Sequence, residues 1–183
     1  MRAAATVFAE RGYAQTTLDM VASLVGLSRQ GVLHHFASKE ALFKAVLEQQ
    51  RQWAASLVES QVRPSGWAAF RDLAVFLGRS PDDRLPLQLM HVLEGEAIAG
   101  NEAALGYVQE RMEEIQSALR RRLDRIRAEG TIAADVDMDA VATLIAAAVN
   151  GLQRRWLVDP RARTAPAFDL LLTLLEQQLA PRR

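Results

Sequence analysis

The sequence predicts an all-α fold: three short amino-terminal helices, then a helical body of about six more. Three observations carry that prediction. Apolar residues recur at 3.6-residue spacing in one segment after another. Glycine or proline falls between those segments, at Gly12, Gly26, Pro64, Gly100, Gly130 and Pro160. Residues 16–39 hold two short amphipathic stretches around Gly26, the arrangement of a helix-turn-helix.

The elements follow in order. Residues 2–11 form the first helix, with Ala4, Val7 and Phe8 facing in, and Gly12 ends it. Tyr13 is expected under the small domain as aromatic core. The second helix covers about 17–24, with Leu18, Val21, Ala22 and Val25 on one face. Thr16 and Thr17 offer oxygens to the unpaired N–H groups at its start, and Gly26 closes it. Ser28 caps a third helix at about 28–35, whose inward residues are Val32, Leu33 and Phe36. Its outward face carries Arg29, Gln30, His34 and His35, without an acidic residue. Such groups suit base edges and phosphates. Gly31 sits inside this helix at a cost of about 1 kcal/mol relative to alanine. It is either a tolerated defect or a place where backbone approaches DNA closely.

Ser38 opens the fourth helix, with Glu40 in its first turn and Leu42, Phe43, Val46, Leu47, Trp53, Leu57 and Val58 as apolar residues to about 61. A break at Arg63-Pro64-Ser65-Gly66 precedes a fifth helix at about 66–78, and Gly78-Arg79-Ser80-Pro81-Asp82-Asp83 is a loop. The sixth helix runs at about 85–98. Gly100-Asn101 separates it from a long seventh at about 102–129, striped by Leu105, Val108, Met112, Ile115, Leu119, Leu123 and Ile126. Arg120, Arg121 and Arg122 read as the solvated face of that helix, balanced by Glu110, Glu113 and Glu114. Asp137 or Asp139 starts the eighth, which runs to about 158, and the ninth covers about 166–179. These last two are apolar over so wide an arc that burial on more than one side is expected. A partner subunit supplies the second side most economically, through a four-helix interface.

Composition excludes several classes of function. At 183 residues and 20.2 kDa, half of them apolar, the chain suits one or two compact units with a sizeable core. Cysteine is absent, so neither disulfides nor thiolate chemistry is available. No uninterrupted apolar run reaches membrane-spanning length, and the start has no signal-peptide layout, so a cytoplasmic protein is expected. Net charge is zero, which argues against a general nucleic-acid coat. Within residues 1–44, however, Arg2, Arg11, Arg29, Lys39 and Lys44 outnumber Glu10, Asp19 and Glu40. The dominance of arginine over lysine, with abundant alanine, suggests a GC-rich bacterial genome. Of three histidines, two lie on the outward face of the third helix. No Ser/His/Asp order, glycine-rich phosphate loop or metal cluster is present. No catalysis, cofactor or metal is expected.

Phe8-Ala9-Glu10-Arg11-Gly12-Tyr13, Thr16-Thr17, Gly26-Leu27-Ser28, His34-His35-Phe36 and Ser38-Lys39-Glu40-Ala41-Leu42 stand in a specific order and spacing. Over roughly residues 1–48 they resemble the DNA-binding domain of the tetracycline-repressor (TetR) family. The resemblance implies a helix-turn-helix DNA-binding domain over 1–45 and a helical effector-binding and dimerisation domain over 46–183. It also implies a homodimeric, ligand-responsive regulator, usually a repressor, on a palindromic operator. Thr17, Ser28, Arg29, Gln30, Gly31, His34, His35 and Lys39 are the expected DNA contacts. Arg29 and Gln30 would read bases, and Lys39, beside a helix N-terminus, would hold phosphate. Two departures stand out. Leu33 replaces the usual phosphate-contacting tyrosine, and the basic lead-in common in the family is expected to be absent or shortened. Dimerisation is expected through about 137–158 and 166–179. Trp67, Phe70, Phe76, Met90, His91, Glu94, Met112, Asn150 and Trp156 are the candidate effector contacts, for a small apolar or aromatic effector. His91 and Glu94, one helical turn apart, could share a ligand or a metal, though an ordinary polar pair explains them too. The rival reading is a helical small-molecule or partner-binding module with little DNA affinity.

Overall fold

Side-chain caps and glycines divide the chain close to where the sequence punctuates it. The computed structural model describes residues 1–59, 66–77 and 81–181, without the side chains of 54–59, 69, 75, 76 and 81. The described residues form helices and turns and no strand. The helices are α1 (Arg2–Gln15), α2 (Leu18–Val25), α3 (Arg29–His35), α4 (Lys39–Glu59), α5 (Ala68–Arg71), α6 (Arg84–Ile98), α7 (Glu102–Ala128), α8 (Met138–Val158) and α9 (Thr164–Leu179). Most of the break expected at 63–66, Gly78 to Ser80 of the following loop, and the side chains of Leu57, Val58 and Phe76 lie outside the described residues. None of the described helices is long and apolar enough to cross a membrane.

The helices pack into two compact units. The first comprises Met1–Ser60 with Ser80–Val108, the second Gln61–Arg79 with Gln109–Arg183. The compact unit that holds the helix-turn-helix also includes the rest of α4, all of α6 and the first turns of α7.

In the first unit, Ala4, Val7, Phe8 and Ala9 of α1 meet Leu42, Phe43, Val46 and Leu47 of α4 and Leu89, Leu93 and Ala97 of α6. The Phe43 ring lies 5.0 Å from Phe8 and 4.6 Å from Tyr13, so Tyr13 does pack into the domain. Full burial of a phenylalanine or leucine contributes roughly 1.5–3 kcal/mol, and α2 and α3 join this core through Leu18, Val21, Ala22 and Val32. Gly12 interrupts α1 with φ 75° and ψ 175°, a backbone state open to glycine and costly for other residues. Gln50, buried on α4, donates to the Pro86 carbonyl at 2.7 Å.

In the second unit, Trp67, Phe70, Ala74 and Leu77 pack against Leu119, Leu123 and Ile126 of α7, Met138, Val141, Ala142 and Ile145 of α8, and Phe168 and Leu172 of α9. Asp137 caps α8, accepting from the Asp139 and Ala140 amides at 3.0 Å each. Arg71 joins α9, donating to Asp169 at 2.9 Å and Glu176 at 3.2 Å. Those bonds, with Glu176 the stronger influence, hold the guanidinium more firmly protonated than usual.

Three expectations change. The fifth helix is α-helical only over Ala68–Arg71 and tightens into a 3-10 stretch over 72–77. With three residues per turn, Ala74 and Leu77 align toward the same core, so tertiary packing overrides propensity. The stripe of α7 is not continuous: Leu105, Met112 and Ile115 are exposed. Val108 belongs to the first core and Leu119, Leu123 and Ile126 to the second, so Met112 and Ile115 between them join neither. Finally, Arg120 is balanced by Asp124 at 3.1 Å and by Asp139 of α8, not by the glutamates of α7.

Candidate nucleic-acid interface

The interface is built on two short helices whose ends are closed by their own side chains. Thr17 accepts from the Met20 amide at 3.3 Å and starts α2. Gly26, at φ 69°, ends it, and the Leu27 amide returns to the Ala22 carbonyl at 2.9 Å. That closure turns the chain sharply enough for Ser28 to open α3 two residues later, accepting from the Gly31 amide at 3.0 Å. Val32 anchors α3 in the core, with Leu33 and Phe36 half-buried beside it.

This anchoring leaves Arg29, Gln30, His34 and His35 exposed. Neither Arg29 nor Gln30 has a hydrogen-bond or ion-pair partner among the described residues. The two imidazoles meet edge to face at 5.5 Å. No acidic residue lies on α3. Thr17 and Ser28 use their oxygens as acceptors in the caps, which leaves each hydroxyl proton to donate outward. A β-carbon at Gly31 would meet only Leu27 and Ser28 atoms at 3.5 Å, ordinary contact. Packing within the protein therefore does not require glycine there. Leu33 faces the core and has no phosphate-binding chemistry.

Lys39 is differently engaged. Its ammonium donates to the Tyr13 carbonyl at 2.9 Å and the Ala14 carbonyl at 3.4 Å, and stands 4.4 Å from the Tyr13 ring centre. The charge expected on a phosphate is bound to the end of α1. Sequence reasoning missed three further polar side chains of this unit: Gln50, Gln88 and Glu96. Gln88 donates to the Ala9 carbonyl at 3.1 Å. Glu96 accepts from the Tyr13 and Ala14 amides at 2.8 and 3.0 Å. Their partners lie 36 to 83 residues away along the chain, and no local pattern announces such pairings.

Residues 1–46 match the family model described as bacterial regulatory proteins, tetR family. The amino-terminal domain is thus of the kind found in the tetR family. The probable acrEF/envCD operon repressor of Escherichia coli K12 is 26% identical over 157 residues, 83% of this chain and 71% of that one. The HTH-type transcriptional regulator RutR of the same organism is 43% identical over 49 residues, 27% of this chain and 23% of its own length. In fold, the chain is similar to a transcriptional regulator from Saccharomonospora viridis in complex with choline, at a TM-score of 0.78 and 18% identity over 99% of this chain and 95% of that one. With that domain and such a repressor among its relatives, the chain is a DNA-binding transcription regulator rather than an enzyme.

The candidate effector contacts of this regulator divide between its units. Met90, His91 and Glu94 stand on α6 in the first; Trp67, Phe70, Met112, Asn150 and Trp156 belong to the second. Met112 is half exposed beside Glu113 and Gln116, so it lines an open surface rather than an enclosed cavity. A hollow of about 350 Å³ in the second unit is lined by Arg71, Ala74, Ala165, Pro166, Phe168 and Asp169, none of them among the expected contacts. His91 Nδ1 lies 2.9 Å from Glu94, while its Nε2 is buried with no hydrogen-bond partner among the described residues. The indole Nε1 of Trp67 is likewise buried and unpartnered among them. Burying such an atom unpaired costs about 1–3 kcal/mol. Among the described residues no group of three acidic, histidine or cysteine side chains could hold a metal ion.

Proposed function

We propose that this protein is a cytoplasmic, ligand-responsive repressor that binds a palindromic operator as a homodimer. One observation carries the reading: α3 presents Arg29, Gln30, His34 and His35 outward, without a carboxylate among them. Thr17, Ser28 and the Gly31 backbone would position the helix on phosphates. A single such helix reads few base pairs. Two of them, about one DNA turn or 34 Å apart, read a palindrome. The dimer would form through α8 and α9, where Leu144, Leu170 and Leu174 are 48%, 60% and 49% exposed in the single chain. The two functional parts would divide near residues 45/46, with α4 crossing from one to the other.

Regulation requires an effector that favours a conformation mismatched to DNA, and its differential affinity sets the size of the response. Its proposed contacts within the second unit are Trp67, Phe70, Met112, Asn150 and Trp156; within the first unit, Met90, His91 and Glu94 are proposed as a separate set. Their mostly apolar and aromatic character supports an apolar or aromatic effector. The unpaired Trp67 nitrogen supports a polar group on an effector bound in the second unit. The α4 helix would carry the shift to α2 and α3.

The test is an anisotropy titration of the protein against its own upstream intergenic DNA and against random duplex. The reading expects tight, salt-sensitive binding to the former that excess random duplex does not displace. Equal binding to both duplexes favours the rival module with little DNA affinity, which Gly31 and Leu33 support.

A further inference from the structure

The geometry points to Glu96 of α6 as a positioning residue for DNA recognition, one that fixes the joint between α1 and the DNA-reading pair. The inference rests on the reading of α3 as the recognition helix. Gly12 breaks α1, so Tyr13 and Ala14 begin a new turn whose amides have lost their helical acceptors. Both amides donate to the one Glu96 carboxylate, at 2.8 Å to Oε2 and 3.0 Å to Oε1. The carbonyls of the same two residues accept from Lys39. The buried Thr16 hydroxyl adds a bond to the Gly12 carbonyl at 2.6 Å. Every polar backbone group of residues 13 and 14 is thereby held by a charged side chain from another helix.

This dipeptide stands three residues before Thr17, the cap of α2, and α2 is joined to α3 by the tight Gly26 closure. A change at residues 13–14 therefore reaches the recognition helix through rigid elements. The carboxylate also occupies the space a β-carbon would take at Gly12, so the glycine admits the α6 side chain as well as the backbone turn. Hydrogen bonds to a charged acceptor are shorter and stronger than neutral ones, and two converge here. Gln88, on the same helix, makes a single neutral bond to the uninterrupted part of α1 at Ala9. It serves as an internal control, since it ties α6 to α1 without touching the joint.

The experiment starts from a duplex that the wild-type protein selects from a random-sequence pool. Glu96→Gln replaces one acceptor oxygen by a donor and removes the charge. It is expected to bind the selected duplex about tenfold more weakly than wild type while random-duplex affinity stays within twofold. Gln88→Ala is expected to change neither by more than twofold. A Glu96→Gln protein that binds both duplexes like wild type, or loses both equally, overturns the inference. Should that variant fail to fold, amide hydrogen exchange on the wild-type protein decides. Tyr13 and Ala14 are expected to gain at least tenfold protection on the selected duplex beyond any gain at Val7, and equal gains overturn the proposal. A wild-type protein that selects no sequence takes down the DNA reading itself, a different result from a Glu96→Gln variant indistinguishable from its parent.

Discussion

Gly31 separates what the fold needs from what DNA needs. A β-carbon there meets nothing closer than 3.5 Å inside the protein, and alanine favours helix over glycine by about 1 kcal/mol. Gly31→Ala is thus expected to raise unfolding stability by up to about 1 kcal/mol in denaturant titration while weakening operator binding, because the backbone no longer approaches DNA as closely. If the variant binds as well as its parent, the glycine is a tolerated defect. Arg29→Ala and Gln30→Ala should instead change which sequence is preferred, each costing about 1–3 kcal/mol at one operator position in a competition series. Lys39 makes the opposite case. A lysine on a phosphate contributes about one unit to the slope of log affinity against log salt. The Lys39 ammonium is bonded to the Tyr13 and Ala14 carbonyls, so Lys39→Met should weaken binding with that slope unchanged and lower stability as well. A slope reduced by one unit returns Lys39 to the phosphate.

At the scale of elements, the helix-turn-helix depends on caps more than on propensity, because α2 and α3 have only eight and seven residues. Helices so short do not persist alone in water. Ser28→Ala removes the acceptor of the Gly31 amide and is expected to cost about 1 kcal/mol of stability, read from the denaturation midpoint. These caps explain why so much of the fold was legible. Thr17, Gly26, Ser28, Ser38 and Asp137 act on groups within a few residues, so sequence displays both partners at once. The wide apolar arcs of α8 and α9 were legible for the same reason. What was hidden depends on distant partners. The 3-10 turn over 72–77 follows from packing against α8 and α9, not from its own residues. The neighbours of Lys39 suggest a helix start and a phosphate, but not the Tyr13 and Ala14 carbonyls that accept from it 26 and 25 residues earlier. The Glu96 carboxylate reaches back 83 residues to Tyr13.

For the whole molecule, the deciding property is whether two copies of α3 are presented together. Leu170 and Leu174 on α9 are exposed in the single chain, so replacing both by glutamate removes little core packing. Surface changes of that kind usually alter stability by no more than about 0.5 kcal/mol. At a twofold interface the same substitutions place like charges in an apolar seam, where an unpaired buried charge is strongly unfavourable. The Leu170→Glu, Leu174→Glu protein is therefore expected to sediment as a 20.2 kDa monomer at concentrations where its parent is proposed to be a dimer, with a nearly unchanged unfolding midpoint. Its operator affinity should fall by about a hundredfold or more, because the second half-site no longer binds as an intramolecular event. Its affinity for an isolated half-site should stay near that of wild type. A variant that remains dimeric moves the interface away from these leucines. A monomer that holds the full operator as tightly as wild type shows that one recognition helix is enough.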